Sequence, residues 1–189
     1  MTVAERFMLD RKDAVLVIID IQEKLCRVMD RKVLDRLVGN VRILQTAAAE
    51  LGIPVVGTEQ YVKGLGELLP EIRSCISDPP IEKLSFGCCG EPTFLERLGR
   101  LGRRQAIVVG MEAHICVLQT VIGLLDAGYI VHLVRDGIMS RTKENWQAAL
   151  HIASAAGAVI TTTEAALFQL LRAAGTPEFK KLSSLVKGG

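Results

Sequence analysis

The chain has little of what metal sites, disulfide scaffolds and membrane spans are built from. Its three histidines, His114, His132 and His151, fall at a helix start, inside an apolar strand pattern and on a helix, so their spacing makes no ligand set. Cys26, Cys75, Cys88, Cys89 and Cys116 form an odd set without paired C-x-x-C spacing, which argues against a disulfide framework and a structural zinc. No apolar run reaches the roughly 18 residues of a membrane span, and the first ten residues mix acid and base without a signal-peptide block. A cytoplasmic protein with no membrane partner is expected. Charge of one sign is also lacking: 23 Lys and Arg balance 21 Asp and Glu for a net +2. The short cluster Arg100, Arg103, Arg104 reads as solvated helix end and turn rather than a nucleic-acid surface.

What is present is apolar. Nearly half of the 189 residues are hydrophobic, enough for one large core, and a single domain over 1–189 is expected. The run from Asp13 to Asp20 is continuously β-branched and aliphatic, the pattern of a strand buried on both faces of a parallel sheet, and it ends on a carboxylate. Leu34, Leu37, Val38, Val41, Leu44, Ala48 and Leu51 then recur at helical spacing over 32–51, closed by Gly52. Helix-glycine-strand joints appear at Leu51-Gly52-Ile53, Ala127-Gly128-Tyr129 and Ala156-Gly157-Ala158. Such joints mean repeated βα units, and right-handed crossovers build them into a parallel sheet covered on both faces. A Rossmann-like α/β three-layer sandwich with a six-stranded parallel sheet is therefore predicted.

Between Thr58 and Pro80 the periodicity fades into a long loop with room for one short helix. Strands are predicted at Ile81–Phe86, from Ala106 to Val109, at Tyr129–Val134 and at Ala158–Thr161, with helices at Pro92–Leu101, His114–Ala127, Lys143–Ala156 and from Thr163 through Leu171. Thr176, Pro177 and Glu178 supply a cap, an N1 proline and an acidic first turn for a last short helix.

Three polar residues end strands that a parallel sheet brings to one edge: Asp20, Lys83 and, just past Gly110, Cys116. A base, a cation and a thiol are the parts of covalent acyl transfer. The start of a helix carries partial positive charge, which favours thiolate and lowers a cysteine pKa.

The segments Ile18–Gln22, Glu82–Phe86 and Gly110–Thr120 resemble the three motif blocks of the isochorismatase-like cysteine hydrolase superfamily. Within it they most resemble isochorismatase-domain-containing hydrolases of undefined substrate. That resemblance implies an Asp-Lys-Cys triad in which Asp20 takes the thiol proton, Lys83 holds the thiolate and orients the aspartate, and Cys116 attacks a carbonyl carbon. It further implies a cis peptide at Met111-Glu112 and an oxyanion hole made by the backbone N–H groups of Glu112 and Cys116. Gln22, Cys26, Tyr61, Phe86 and Ile115 are candidate walls of a small-molecule pocket, together with Cys89 and Met139. Nicotinamidases of the superfamily carry Thr-x-Asp-x-His after the second strand; here Gln60 and Val62 stand at the Asp and His positions. No metal and no cofactor are expected, and a homo-oligomer is. The leading expectation is a hydrolase of a small amide or related C–N bond. An isochorismatase-type vinyl-ether hydrolase and a non-catalytic binding protein on the same fold are the alternatives.

Overall fold

A computed structural model describes residues 2–186; of the single domain expected over 1–189, Met1 and residues 187–189 lie outside the described residues. In chain order the elements are α1 (Val3–Phe7), β1 (Ala14–Ile19), α2 (Glu23–Cys26), α3 (Arg31–Leu51), β2 (Val55–Gln60), α4 (Val62–Leu65), α5 (Pro70–Arg73) and β3 (Ile81–Lys83). They continue with α6 (Pro92–Leu101), β4 (Gln105–Met111), α7 (Leu118–Asp126), β5 (Ile130–Met139), α8 (Lys143–Ala156), β6 (Val159–Thr161), α9 (Thr163–Leu171) and α10 (Pro177–Leu182). The six strands form one all-parallel sheet in the order β3-β2-β1-β4-β5-β6. Chain direction across the sheet reverses between β1 and β4, and the crevice beyond the strand ends there is where open α/β sheets bind ligands.

The sheet is buried on both faces, which is why β1 reads as an unbroken apolar run. Ala14, Leu16 and Ile18 face the core built with Leu34, Leu37, Val41 and Leu44 of α3 and Ala166 and Leu170 of α9. Val15, Val17 and Ile19 face Phe94 and Leu98 of α6, Val121 and Leu124 of α7, and Ala149 and Ala153 of α8. Gly52 ends α3 in the left-handed conformation, at φ 66°. Thr176 caps α10 by accepting the Phe179 N–H at 3.1 Å, with Pro177 at its start.

Several bounds differ from those predicted. The Ile81–Phe86 strand stops at Lys83, because the chain then turns so that the carbonyls of Ser85 and Phe86 can reach the Lys83 ammonium. The Thr58–Pro80 loop is shorter: β2 continues to Gln60, paired with Lys83, and two short helices follow. Strand β5 runs past Val134 to Met139, since a register shift lets Ile138 and Met139 rejoin β4 at Gly110 and Met111. The helix expected from His114 begins as a π-type turn over Ala113–Val117 before α7. An unpredicted helix, α1, stands on a capping box formed by Thr2 and Glu5. Among the described residues no helix is long and apolar enough to cross a membrane.

Candidate active site

Asp20 follows β1 immediately and adopts a left-handed backbone at φ 51°, which aspartate tolerates better than most residues. Its side chain is wholly buried. Oδ2 accepts from Lys83 Nζ at 2.7 Å, and Oδ1 accepts from Thr58 Oγ1 at 2.7 Å. Thr58 reaches it because Ile19 and Thr58 are register partners. Lys83, also fully buried, donates to Gln60 Oε1 at 2.7 Å and to the carbonyls of Phe86 at 2.9 Å and Ser85 at 3.3 Å. A buried cation costs several kcal/mol unless it is paired and hydrogen-bonded, and this surround supplies both.

Gly110 brings the third participant in. Its φ is 130°, and a Cβ there would sit 2.1 Å from the Ile19 carbonyl oxygen, so only glycine lets β4 lie this close to the end of β1. The Met111–Glu112 peptide that follows is cis. The π-type turn then carries Cys116, with Val117 N–H donating to Glu112 O at 3.2 Å and Leu118 N–H to Ala113 O. Those i→i−5 bonds begin beyond Cys116.

Cys116 is buried close enough to Asp20 to feel its charge. Burial pushes its thiol pKa well up, the negative charge of Asp20 pushes it further, and Lys83 offsets part of the rise. This corrects the expectation of a thiol acidified by its helix start: desolvation and a neighbouring carboxylate outweigh the partial charge of a short turn. In this environment the thiol form is favoured over the thiolate.

A second thiol shares the surroundings. Cys88 is fully buried, its Sγ lies 3.7 Å from Thr58 Oγ1, and burial with the charge of Asp20 raises it to about 12. Its N–H donates to Thr120 Oγ1 at 2.9 Å, and Thr120 donates to the Cys116 carbonyl at 2.6 Å, tying the loop after β3 to the start of α7. Cys89 is half-buried, its Sγ lies 3.9 Å from the Thr120 carbonyl, and burial raises it to about 11.

The predicted pocket residues separate into groups. Gln22 is fully buried and clamps the backbone: its amide donates to the Gln60 and Gly66 carbonyls and accepts the Gln60 N–H at 2.7 Å. Tyr61 and Phe86 are about half exposed, at 48% and 56%, beside the residues that hold Lys83. Ile115 packs, partly buried, against the same core as Cys116. Cys26 does not join them; it lines a groove of about 420 Å³ with Arg27, Arg31, Leu34 and Leu69. Met139 lines another cavity, beside Ser140 and Arg141. The Glu112 carboxylate is held by Arg141, whose Nε lies 3.1 Å from Oε1 and whose N–H donates to Oε2 at 3.1 Å.

The segment that carries a metal in nicotinamidases does not fit one here. Gln60 spends its oxygen on Lys83 and its amide N–H on the Leu84 carbonyl at 2.8 Å, and Val62 has no donor atom to offer a metal. Thr58, Gln60, Thr120 and Cys88 are the site neighbours that sequence reasoning missed. Gln60 had been noticed only as a departure from the metal motif.

A family model described as Isochorismatase domain matches residues 14–165. The secreted isochorismatase effector Isc1 of Phytophthora sojae is 36% identical over 179 residues, 92% of this chain and 84% of that protein. Isochorismatase domain-containing protein 2 of Danio rerio is 34% identical over 178 residues, 94% of this chain and 89% of that one. The solved MAR1 ribonuclease of Caenorhabditis elegans superposes with a TM-score of 0.87 at 34% identity, covering 95% of this chain and 92% of that one. The matching domain, the relatives and the parallel sheet agree: this chain belongs to the isochorismatase family of hydrolases.

Proposed function

We propose that the protein is a metal-independent cysteine hydrolase acting on a small amide or related C–N bond through a thioester on Cys116. The observation that carries the reading is the buried Asp20 carboxylate, which accepts from Lys83 and Thr58 at 2.7 Å each, with Cys116 buried close enough to feel its charge. Asp20 takes the thiol proton as sulfur attacks the substrate carbonyl carbon, and Lys83 compensates the negative charge that passes from carboxylate to sulfur. The tetrahedral oxyanion is received by the backbone N–H groups of Glu112 and Cys116, a contribution of about 3 kcal/mol per donor in comparable sites. Collapse expels ammonia or an amine, which leaves with the proton held on Asp20. Water then attacks the thioester while Asp20 accepts its proton, releasing a carboxylic acid and restoring the thiol.

Intact-protein mass spectrometry after exposure to a panel of amides and carbamoyl compounds tests this reading. An acyl adduct is expected on the wild type and on Cys88→Ala, and none on Cys116→Ala. Turnover of an identified substrate by Cys116→Ala would refute it. A pyruvate-release assay with isochorismate separates amide from vinyl-ether chemistry. Single-stranded RNA is the control suggested by the name of the Caenorhabditis elegans neighbour.

A further inference from the structure

A cavity of about 900 Å³ opens at the carboxyl end of β5, between α3 and the starts of α8 and α9, and neither Asp20, Lys83 nor Cys116 lines it. Its size suits a small-molecule ligand. Four cations line it, Arg36, Arg135, Arg141 and Lys143, against two acids, Asp30 and Asp136. Both acids already serve helix starts: Asp30 accepts the Val33 N–H at 3.0 Å, and Asp136 accepts the Thr163 N–H at 2.8 Å. Arg141 is committed to Glu112. Among the described residues Arg36, Arg135 and Lys143 enter no ion pair, and with Arg141 paired to Glu112 they still outnumber the two carboxylates of the lining, leaving the cavity a net positive charge. The first turns of α3, α8 and α9 add their partial positive charge to the same space. Leu37, Ile138, Met139 and Trp146 supply apolar lining.

We propose that this cavity is a second binding site, for a small organic phosphate carrying an aromatic or aliphatic body. The excess of cations over carboxylates favours an anion, and two of those free of ion pairs are arginines, which pair with phosphate through two parallel hydrogen bonds. The apolar lining residues receive the body of the ligand. The proposal stands independently of the chemistry assigned to Cys116.

Trp146 is the sole tryptophan of the chain and reports on the site directly. The Arg135 guanidinium lies 5.3 Å from its ring centroid, and its indole N–H donates to the Arg135 carbonyl at 3.1 Å. A ligand that draws Arg135 toward itself alters the emission. Titration of the full chain with phenyl phosphate is expected to give a saturable change in Trp146 fluorescence, and benzyl alcohol none. The exposed double variant Arg36→Gln, Lys143→Gln is expected to weaken phenyl phosphate by about tenfold or more. Arg31→Gln, on α3 but paired with Asp35 outside the cavity, serves as the control and is expected to bind as wild type. Calorimetry on the same proteins checks that loss of the optical signal is loss of binding. No saturable binding by the wild type, or equal affinity in the double variant, overturns the proposal.

Discussion

Removing the buried imidazole of His132 should flatten the acid limb of the protein's stability profile. His132 is the third residue of β5, wholly buried, and neither ring nitrogen has a hydrogen-bond partner. Burial lowers its pKa to about 4 from an ordinary 6.5, with the Arg6 backbone offsetting part of the shift. The folded state therefore requires a neutral ring, whereas the unfolded chain takes up a proton as pH falls below 6.5. Stability is complete above the unfolded pKa and declines as pH falls from 6.5 toward 4. With those two values the loss between about pH 7.5 and about pH 5 is about 2 kcal/mol, rising to about 3 kcal/mol near pH 4. For a chain of this size 2 kcal/mol corresponds to a fall in Tm of about 4–8 °C. Urea unfolding of wild type and His132→Leu across that range, followed by far-UV circular dichroism, measures it. Surface carboxylates and the other histidines titrate in both proteins and cancel in the difference. Near pH 7.5 the variant should be as stable as wild type or more so, because it deletes two unsatisfied polar atoms. By pH 5 it should lead by about 2 kcal/mol more than it does at neutrality. Parallel decline of the two proteins would refute the reasoning.

Asp20→Asn should abolish turnover yet speed alkylation of Cys116 by iodoacetamide near neutral pH, because the negative charge of the carboxylate adds to the rise that burial imposes on the thiol pKa. The rate against pH, read by mass spectrometry, should shift to lower pH in the variant; an unchanged or higher midpoint sinks the assignment. Lys83→Met should destabilise the fold by about 3–5 kcal/mol, since it leaves the Asp20 charge buried without its cation, with Thr58 still donating to it. Chemical denaturation at neutral pH checks that value. Gly110→Ala places a methyl 2.1 Å from the Ile19 carbonyl oxygen at φ 130°, and a loss exceeding about 3 kcal/mol is expected in the same assay.

What sequence could reveal here follows the range of the interaction concerned. Strand β1 was legible because a strand buried on both faces carries no polar alternation, and Gly52 and Thr176 were legible because caps act within one turn. Asp20, Lys83 and Cys116 could be nominated as strand-end residues from local patterns alone. Their partners could not. Thr58 meets Asp20 only because β1 pairs with β2 in the register Ile19–Thr58, and Gln60 meets Lys83 only because β2 pairs with β3 in the register Gln60–Lys83. Neither register is written in either strand alone. The same limit explains the thiol. A helix start by itself favours thiolate at Cys116, while burial between sheet and helices and the charge of Asp20, 96 positions earlier in the chain, outweigh it. Under the proposed thioester chemistry a thiol kept protonated near a carboxylate gives up its proton as it attacks, so the tertiary surroundings set this cysteine in the sense opposite to the one its local sequence suggests.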